Sequence, residues 1–175
     1  NPQKGRFREF YQCDADVVGT SSLWQEVELV AMYHHAFAEL GLDVVVRINH
    51  RGLLAGIAEV AGLGDRLIDF TVALDKLDKI GPDGVRAEWR ERGFTDAQCA
   101  ALEPALQPMG DLNATLDRMA AWLSESAAGA AAVEELRWLV ARASATGRLE
   151  LDVTLARGLN YYTGCIFEVQ ALGVA

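Results

Sequence analysis

No apolar run in this 175-residue chain approaches the roughly 20 residues that a membrane-spanning helix requires. The basic, apolar and small-residue succession of a secretory signal is missing too. Cysteine is scarce. Cys13, Cys99 and Cys165 are odd in number, far apart and form no CxxC pair. That argues against a disulfide framework or a cysteine-paired zinc site, and for free thiols in a reducing cytoplasm. Positive charge is also in deficit, with 16 Lys and Arg against 25 Asp and Glu and a net charge of −9. Taken alone, that balance argues against a nucleic-acid partner. The chain has no internal repeat, low-complexity tract or coiled-coil heptad. Its GLGDR stretch lacks the lysine and the serine or threonine of a phosphate-binding P-loop and reads as a turn.

What remains is the composition of a packed globule: 51% of residues are apolar and 23% charged. The length suits one domain, or one domain carrying a sizeable insertion. The net charge also hides a local feature, because Lys4, Arg6 and Arg8 crowd the N-terminus beside Gly5. A nucleotide phosphate needs only a local basic pocket, so the overall charge leaves one open.

The NPQKG stretch reads as a loop. RFREFYQCDADVVG then alternates large apolar with polar residues, which predicts a half-buried strand. Ser22 and Gln25 have capping-box spacing and predict a helix that runs to Gly41. DVVVRIN is a β-branched run that predicts a buried strand. HRGLLAGIAEVAG and GDRLIDFTVALDKL read as helices. From about Ile80 to Thr146 strand-like runs vanish and alanine rises. Helix starts recur there at Pro82, at Thr95 with Gln98, at Asn113 and near Ala131. RLELDVTLARGLNYYTGCIFEVQ returns to alternation and reads as two strands joined by a turn around Gly158. The expected fold is α+β, a mainly antiparallel sheet flanked by helices and interrupted by a helical insertion. Residues 1–79 and 147–175 would form the core, and 80–146 the insertion.

Two strand motifs carry polar residues of defined type. By two-residue spacing Arg8, Phe10, Gln12, Asp14 and Asp16 share one face of the first. A guanidinium, an aromatic ring, an amide and carboxylates in a row suit a flat, charged, polar ligand; they equally suit a solvated sheet face. In the second, Arg157 precedes Gly158, which permits close backbone approach. Tyr161 and Tyr162 point to opposite faces, so that one packs and the other offers its hydroxyl. A surface arginine beside a core tyrosine fits the same spacing. His34 and His35 are neighbours on a helix and face different directions, which excludes a one-face metal pair. His50 reads as a helix-start residue.

FREFYQCDADVVG, NHRGLL, VALDKLDKIG and LARGLNYYTGCIFEV, in this order, resemble histidyl-tRNA synthetases. ARGLNYYTG is similar to that family's histidine-specific signature. RFREFYQ is similar to the returning strand of the motif 2 hairpin of class II aminoacyl-tRNA synthetases. The resemblance implies a class II synthetase fold, with 80–146 as the tRNA-facing insertion domain. It implies an ATP-dependent histidine–tRNA ligase that uses histidine, ATP with Mg2+, and tRNA(His), as a cytoplasmic homodimer in full length. Arg157 would contact the histidine carboxylate and the α-phosphate; Arg6 the ATP phosphates; and Phe10 would stack on adenine. Gln12, Asp16, Tyr161 and Tyr162 would line the histidine pocket. The resemblance identifies no metal ligands.

Three departures stand out. Asn160 replaces the family's usual aspartate, and Asp16 is one methylene shorter than the glutamate of many members. Motif 1, the leading motif 2 arginine, the motif 3 arginine and the anticodon-binding domain have no counterpart. The sequence therefore reads as an internal piece of a longer enzyme, inactive alone. Two rivals share the resemblance: a regulatory paralogue that partners ATP phosphoribosyltransferase, and the synthetase-like module of kinases that sense uncharged tRNA. The long helical insertion argues against the first. The intact Arg6, Gln12, Asp16, Arg157 and Tyr162 argue against the second.

Overall fold

The computed structural model describes residues 7–107, 110–156 and 163–173. In chain order its elements are α1 (Trp24–Glu39), β1 (Val44–His50), α2 (Arg51–Val60), α3 (Leu67–Leu74), α4 (Leu77–Glu91), α5 (Asp96–Leu102), α6 (Leu112–Trp122), α7 (Ala127–Ala143), β2 (Leu149–Leu151) and β3 (Cys165–Ala171). Short 3-10 turns lie at Gly64–Arg66 and Glu103–Leu106.

Strand β1 is the centre of a three-stranded sheet ordered β2-β1-β3. Its Val-Val-Val start and Ile48 are buried, as a strand covered on both faces requires. β2 runs parallel to it, with Val46 opposite Leu149, and β3 runs antiparallel, from His50 opposite Cys165 to Val44 opposite Ala171. The sheet is thus mixed, with the longer ladder antiparallel. β2 and β3 do not form the expected hairpin, because β1 separates them. At the end of β2, the Asp152 carboxylate accepts from the Thr154 N–H at 2.9 Å and turns the chain aside. The Asn49 side chain at the end of β1 then donates to the Leu155 carbonyl. The chain is therefore drawn across the end of β1, and β3 starts on its far edge.

The expected strand over residues 6–19 is overturned. Among the described residues the stretch has no strand, and residues 7–22 are all exposed. Phe10 is 66% exposed and Val18 93%. Alternation supplies a strand's pattern but not its hydrogen-bond partner, and both edges of β1 are taken by β2 and β3. The Ser22 capping box is absent as well. Leu23 caps α1 without a side-chain bond, and the Ser22 hydroxyl accepts only from the Trp24 N–H at 3.4 Å. At Thr95 the same spacing yields both bonds of a capping box, which opens α5.

Gly41 ends α1 as expected. With φ at 68° it donates to the Ala38 carbonyl, while the Leu42 N–H donates to Phe37. That paired arrangement satisfies two orphan carbonyls, and a β-carbon would strain it. The expected helix start at Pro82 lies inside α4, where a left-handed Gly81 breaks the helix and Pro82 opens its second stretch. α6 starts at Leu112, capped by Asp111, and α7 at Ala127, capped by Ser126, one and four residues before the predicted starts.

One buried cluster runs from α1 through β1, α2, α3 and α4 to α7 and β2. Leu53, Leu54 and Ile57 of α2, Phe70 of α3, Trp89 of α4 and Leu136 of α7 are fully buried. Each large side chain of this kind contributes about 1.5–3 kcal/mol against solvent exposure. α2 and α7 cross most closely where Gly56 meets Gly129; a β-carbon on Gly56 would lie 2.6 Å from the Gly129 Cα. α3 and α4 are tied by the Trp89 indole N–H donating to the Phe70 carbonyl at 3.3 Å. Outside them Glu88 accepts from Lys76 and Arg92, and these bonds hold its carboxyl below the usual range.

Candidate functional site

Two-residue alternation along β1 separates two environments. Val46, Ile48 and His50 share the face toward α7, where His50 Nε2 lies 3.0 Å from the Glu135 carboxylate. Val45, Arg47 and Asn49 share the other face. There Arg47 stands in register between Glu150 of β2 and Glu168 of β3, and its guanidinium pairs with Asp152 at 3.2 Å. Arg148 pairs with Glu150 at 2.7 Å. Arg47, Glu150, Asp152 and Thr154 line one wall of a cleft of about 530 Å³, and Leu77, Asp78, Pro82 and Gln107 the other. Among the described residues the charge on this wall is mainly acidic, and Arg47 is already paired. Phosphate binding at this face would need further cations.

The end of β1 and the start of α2 form a second polar group. His50 caps α2: its Nδ1 accepts from the Gly52 N–H at 3.0 Å, which leaves Nε2 to carry the proton toward Glu135. Asn49 is fully buried and fully used, with Oδ1 accepting from the His50 N–H at 2.8 Å and Nδ2 donating to the Leu155 carbonyl at 2.9 Å. The Arg51 N–H donates to the Gly164 carbonyl at 2.9 Å. Its Nη1 is buried without a hydrogen-bond partner among the described residues, and desolvation lowers the pKa of the guanidinium. Beside them burial, with the carboxylates of Glu26 and Glu135, pushes the Cys165 thiol up to about 12. That thiol is no nucleophile at neutral pH.

The predicted site residues divide into two sets. Arg6, Arg157, Tyr161 and Tyr162, with Gly158 and Asn160, lie outside the described residues. Phe10, Gln12 and Asp16 are exposed on the irregular N-terminal stretch. Gln12 donates to the Asp14 carboxylate at 2.8 Å, a local bond made without the strand that the spacing predicted. Sequence reasoning passed over Asn49 and Glu135. The signal for Asn49 was a polar residue ending a β-branched strand; Glu135, one of several charged residues on an alanine-rich helix, gave none. Among the described residues no group of three or more His, Cys, Asp or Glu side chains could hold a metal ion. None of their helices is long and apolar enough to cross a membrane.

Comparison with known proteins gives a consistent result. A family model described as histidyl-tRNA synthetase matches residues 1–175. A histidine–tRNA ligase of Flavobacterium johnsoniae is 54% identical over 98% of this chain and 37% of its own length. One from Christiangramia forsetii is 51% identical over 97% of this chain and 38% of its own. The chain thus spans under two-fifths of these relatives. Among solved structures, histidyl-tRNA synthetase from Nostoc sp. PCC 7120 superposes with a TM-score of 0.81 at 27% identity, over 88% of this chain and 38% of that one. A Bacillus halodurans protein described as an ATP phosphoribosyltransferase regulatory subunit/histidyl-tRNA synthetase superposes with a TM-score of 0.74, over 90% of this chain and 41% of that one. Its 21% identity shows a common fold and no more.

Proposed function

Because the chain belongs to the histidyl-tRNA synthetase family, we propose that it is part of the catalytic core of an ATP-dependent histidine–tRNA ligase. The observation that carries this reading is a family match along all 175 residues, joined to a shared fold with a histidyl-tRNA synthetase. In the proposed reaction a histidine carboxylate oxygen attacks the α-phosphorus of ATP. The bond to the β-phosphate oxygen breaks, pyrophosphate leaves, and histidyl-adenylate remains. A hydroxyl of the terminal adenosine of tRNA(His) then attacks the carbonyl carbon, and AMP departs.

Negative charge gathers around the α-phosphorus in the first step, so fixed cations aimed there lower the barrier. Arg157 is assigned that role. Its planar fork holds a carboxylate and a phosphate oxygen together, which lysine could not do. Arg6 is assigned to the ATP phosphates and Phe10 to the adenine ring. The ion-paired state of Arg47 and Arg148 supports this division, since both already serve carboxylates. Magnesium would accompany ATP. The described residues offer it no ligand cluster, and no step is routed through it.

Selecting histidine requires a partner for one ring N–H and one ring lone pair. Asp16 and the Tyr162 hydroxyl are assigned to the ring, with Gln12 and Tyr161 completing the pocket. A wrong amino acid would leave such groups unpaired, enough for about four to five orders of magnitude of discrimination. We assign residues 1–79 and 147–175 to the core and 80–146 to a helical insertion facing tRNA. The break at Gly81 supports the first boundary and the pairing of Leu149 with Val46 the second. The full-length protein is expected to be a homodimer, and this chain alone to be inactive.

The test is histidine-dependent exchange of labelled pyrophosphate into ATP by the full-length protein and its Arg157→Ala variant. The parent is expected to exchange, and the variant to lose about 10²–10³-fold or more. No exchange by the intact parent would favour a regulatory protein on the same fold.

A further inference from the structure

Three consecutive residues at the β1–α2 junction hold the chain on both sides of the segment that carries Arg157, Tyr161 and Tyr162. On the near side the buried Asn49 amide donates to the carbonyl of Leu155, two residues before Arg157. On the far side the Arg51 N–H donates to the carbonyl of Gly164, two residues after Tyr162. Between them His50 pairs through its backbone with Cys165, and its ring is fixed at both nitrogens, by the Gly52 N–H and by Glu135 of α7.

The arrangement is economical in donors. Asn49 uses its oxygen on the His50 N–H and its nitrogen on Leu155, so the amide cannot rotate without losing both. An aspartate would place an oxygen against the Leu155 carbonyl, and an apolar residue would leave that carbonyl and the His50 N–H without these partners. The His50 ring is equally constrained, since turning it over would put ring carbons where Nδ1 and Nε2 now meet the Gly52 N–H and Glu135. Glu135 is 44% exposed through its side chain, so a change there tests the ring's anchor without opening the core.

We propose that Asn49 and the Glu135-anchored His50 are positioning residues for histidine activation, fixing the chain at Leu155 and at Cys165 on either side of the residues assigned to catalysis, without touching substrate. The proposal rests on the function proposed above. An arginine that must meet a carboxylate and a phosphate together tolerates little displacement, and about 1 Å costs on the order of 10²-fold in rate.

The experiment uses the full-length protein with four variants: Asn49→Ser, Glu135→Ala, Glu135→Gln and Arg157→Ala. Pyrophosphate exchange gives kcat and separate KM values for histidine and ATP. A burst of adenylate formation counts active sites, and a thermal melt reports folding. Per active site, Asn49→Ser is expected to lose at least about 10-fold in kcat/KM for histidine. Glu135→Ala should lose a few-fold, and Glu135→Gln, which retains an acceptor for His50 Nε2, should recover to within about twofold of the parent. Should Asn49→Ser not fold, the two Glu135 variants decide by themselves. Losses that lie wholly in Tm or in the number of active sites overturn the proposal, as does full kcat/KM per site in Glu135→Ala. An inactive parent would instead overturn the underlying function, and an active parent with an inactive Arg157→Ala would uphold it whatever the positioning variants do.

Discussion

Gly56 of α2 and Gly129 of α7 meet backbone to backbone, with no room between them for a single β-carbon. Ser126 caps α7 from the same crossing, and its hydroxyl also donates to Glu59 of α2. This crossing sets the distance of α7 from the sheet, and with it the place of Glu135 beside His50.

Gly56→Ala should therefore push α2 and α7 apart. Overpacking of this kind costs about 1–3 kcal/mol. Gly64→Ala is the control: its β-carbon meets nothing within 4 Å, and a change within about 0.5 kcal/mol is expected. Urea unfolding of both variants beside the parent measures the difference. Equal midpoints for the two would show that the helices yield freely.

His34 on α1 lies against Gly147, where a β-carbon would overlap the imidazole ring. Its Nε2 is buried without a hydrogen-bond partner among the described residues, and burial lowers its pKa from 6.5. The folded state therefore favours the neutral ring, and the unfolded chain takes up the proton first. This contribution to stability is complete above pH 6.5 and declines as pH falls from there through the lower folded pKa. Unfolding midpoints between pH 8 and pH 5 should fall less steeply for His34→Gln than for the parent. Parallel curves would refute the burial effect.

The three thiols should separate kinetically. Cys13 is exposed; burial raises Cys99, and it pushes Cys165 up to about 12. A disulfide reagent at pH 8 should label one thiol quickly in the native chain and all three in denaturant. Fast native labelling of Cys165 would contradict the packing at the start of β3.

Asp16→Asn in the full-length protein removes the charge assigned to the histidine ring. A hydrogen bond to a charged group is worth about 1.5–3 kcal/mol, so KM for histidine should rise about 10- to 150-fold. KM for ATP should stay near its parent value. Pyrophosphate exchange with each substrate varied in turn decides this, and an unchanged histidine KM would remove Asp16 from the pocket.

Legibility in the sequence followed the range of the forces involved. DVVVRIN showed its burial through β-branched content, and Thr95–Gln98 and Gly41 showed their roles because caps are local. Ser22–Gln25 had the same spacing as Thr95–Gln98 but no cap formed, since nothing local fixes the chain entering α1. RFREFYQCDADVVG carried a strand's alternation without a strand's partner, which no periodicity can supply. The order β2-β1-β3 was hidden because it depends on Asn49 reaching Leu155, a contact across 106 residues. The candidate site residues were legible as residue types in a familiar order. The bonds made by Asn49, His50 and Glu135 were visible only in three dimensions.

The measurement that bears most directly on the central claim is a crystal structure of the full-length protein with a non-hydrolysable histidyl-adenylate analogue. The Arg157 guanidinium is predicted within hydrogen-bond distance of the analogue's carbonyl oxygen and its phosphate replacement. Gln12, Asp16 and Tyr162 should surround the imidazole. An Arg157 side chain turned to solvent, away from Gln12 and Asp16 with the analogue bound, would contradict it.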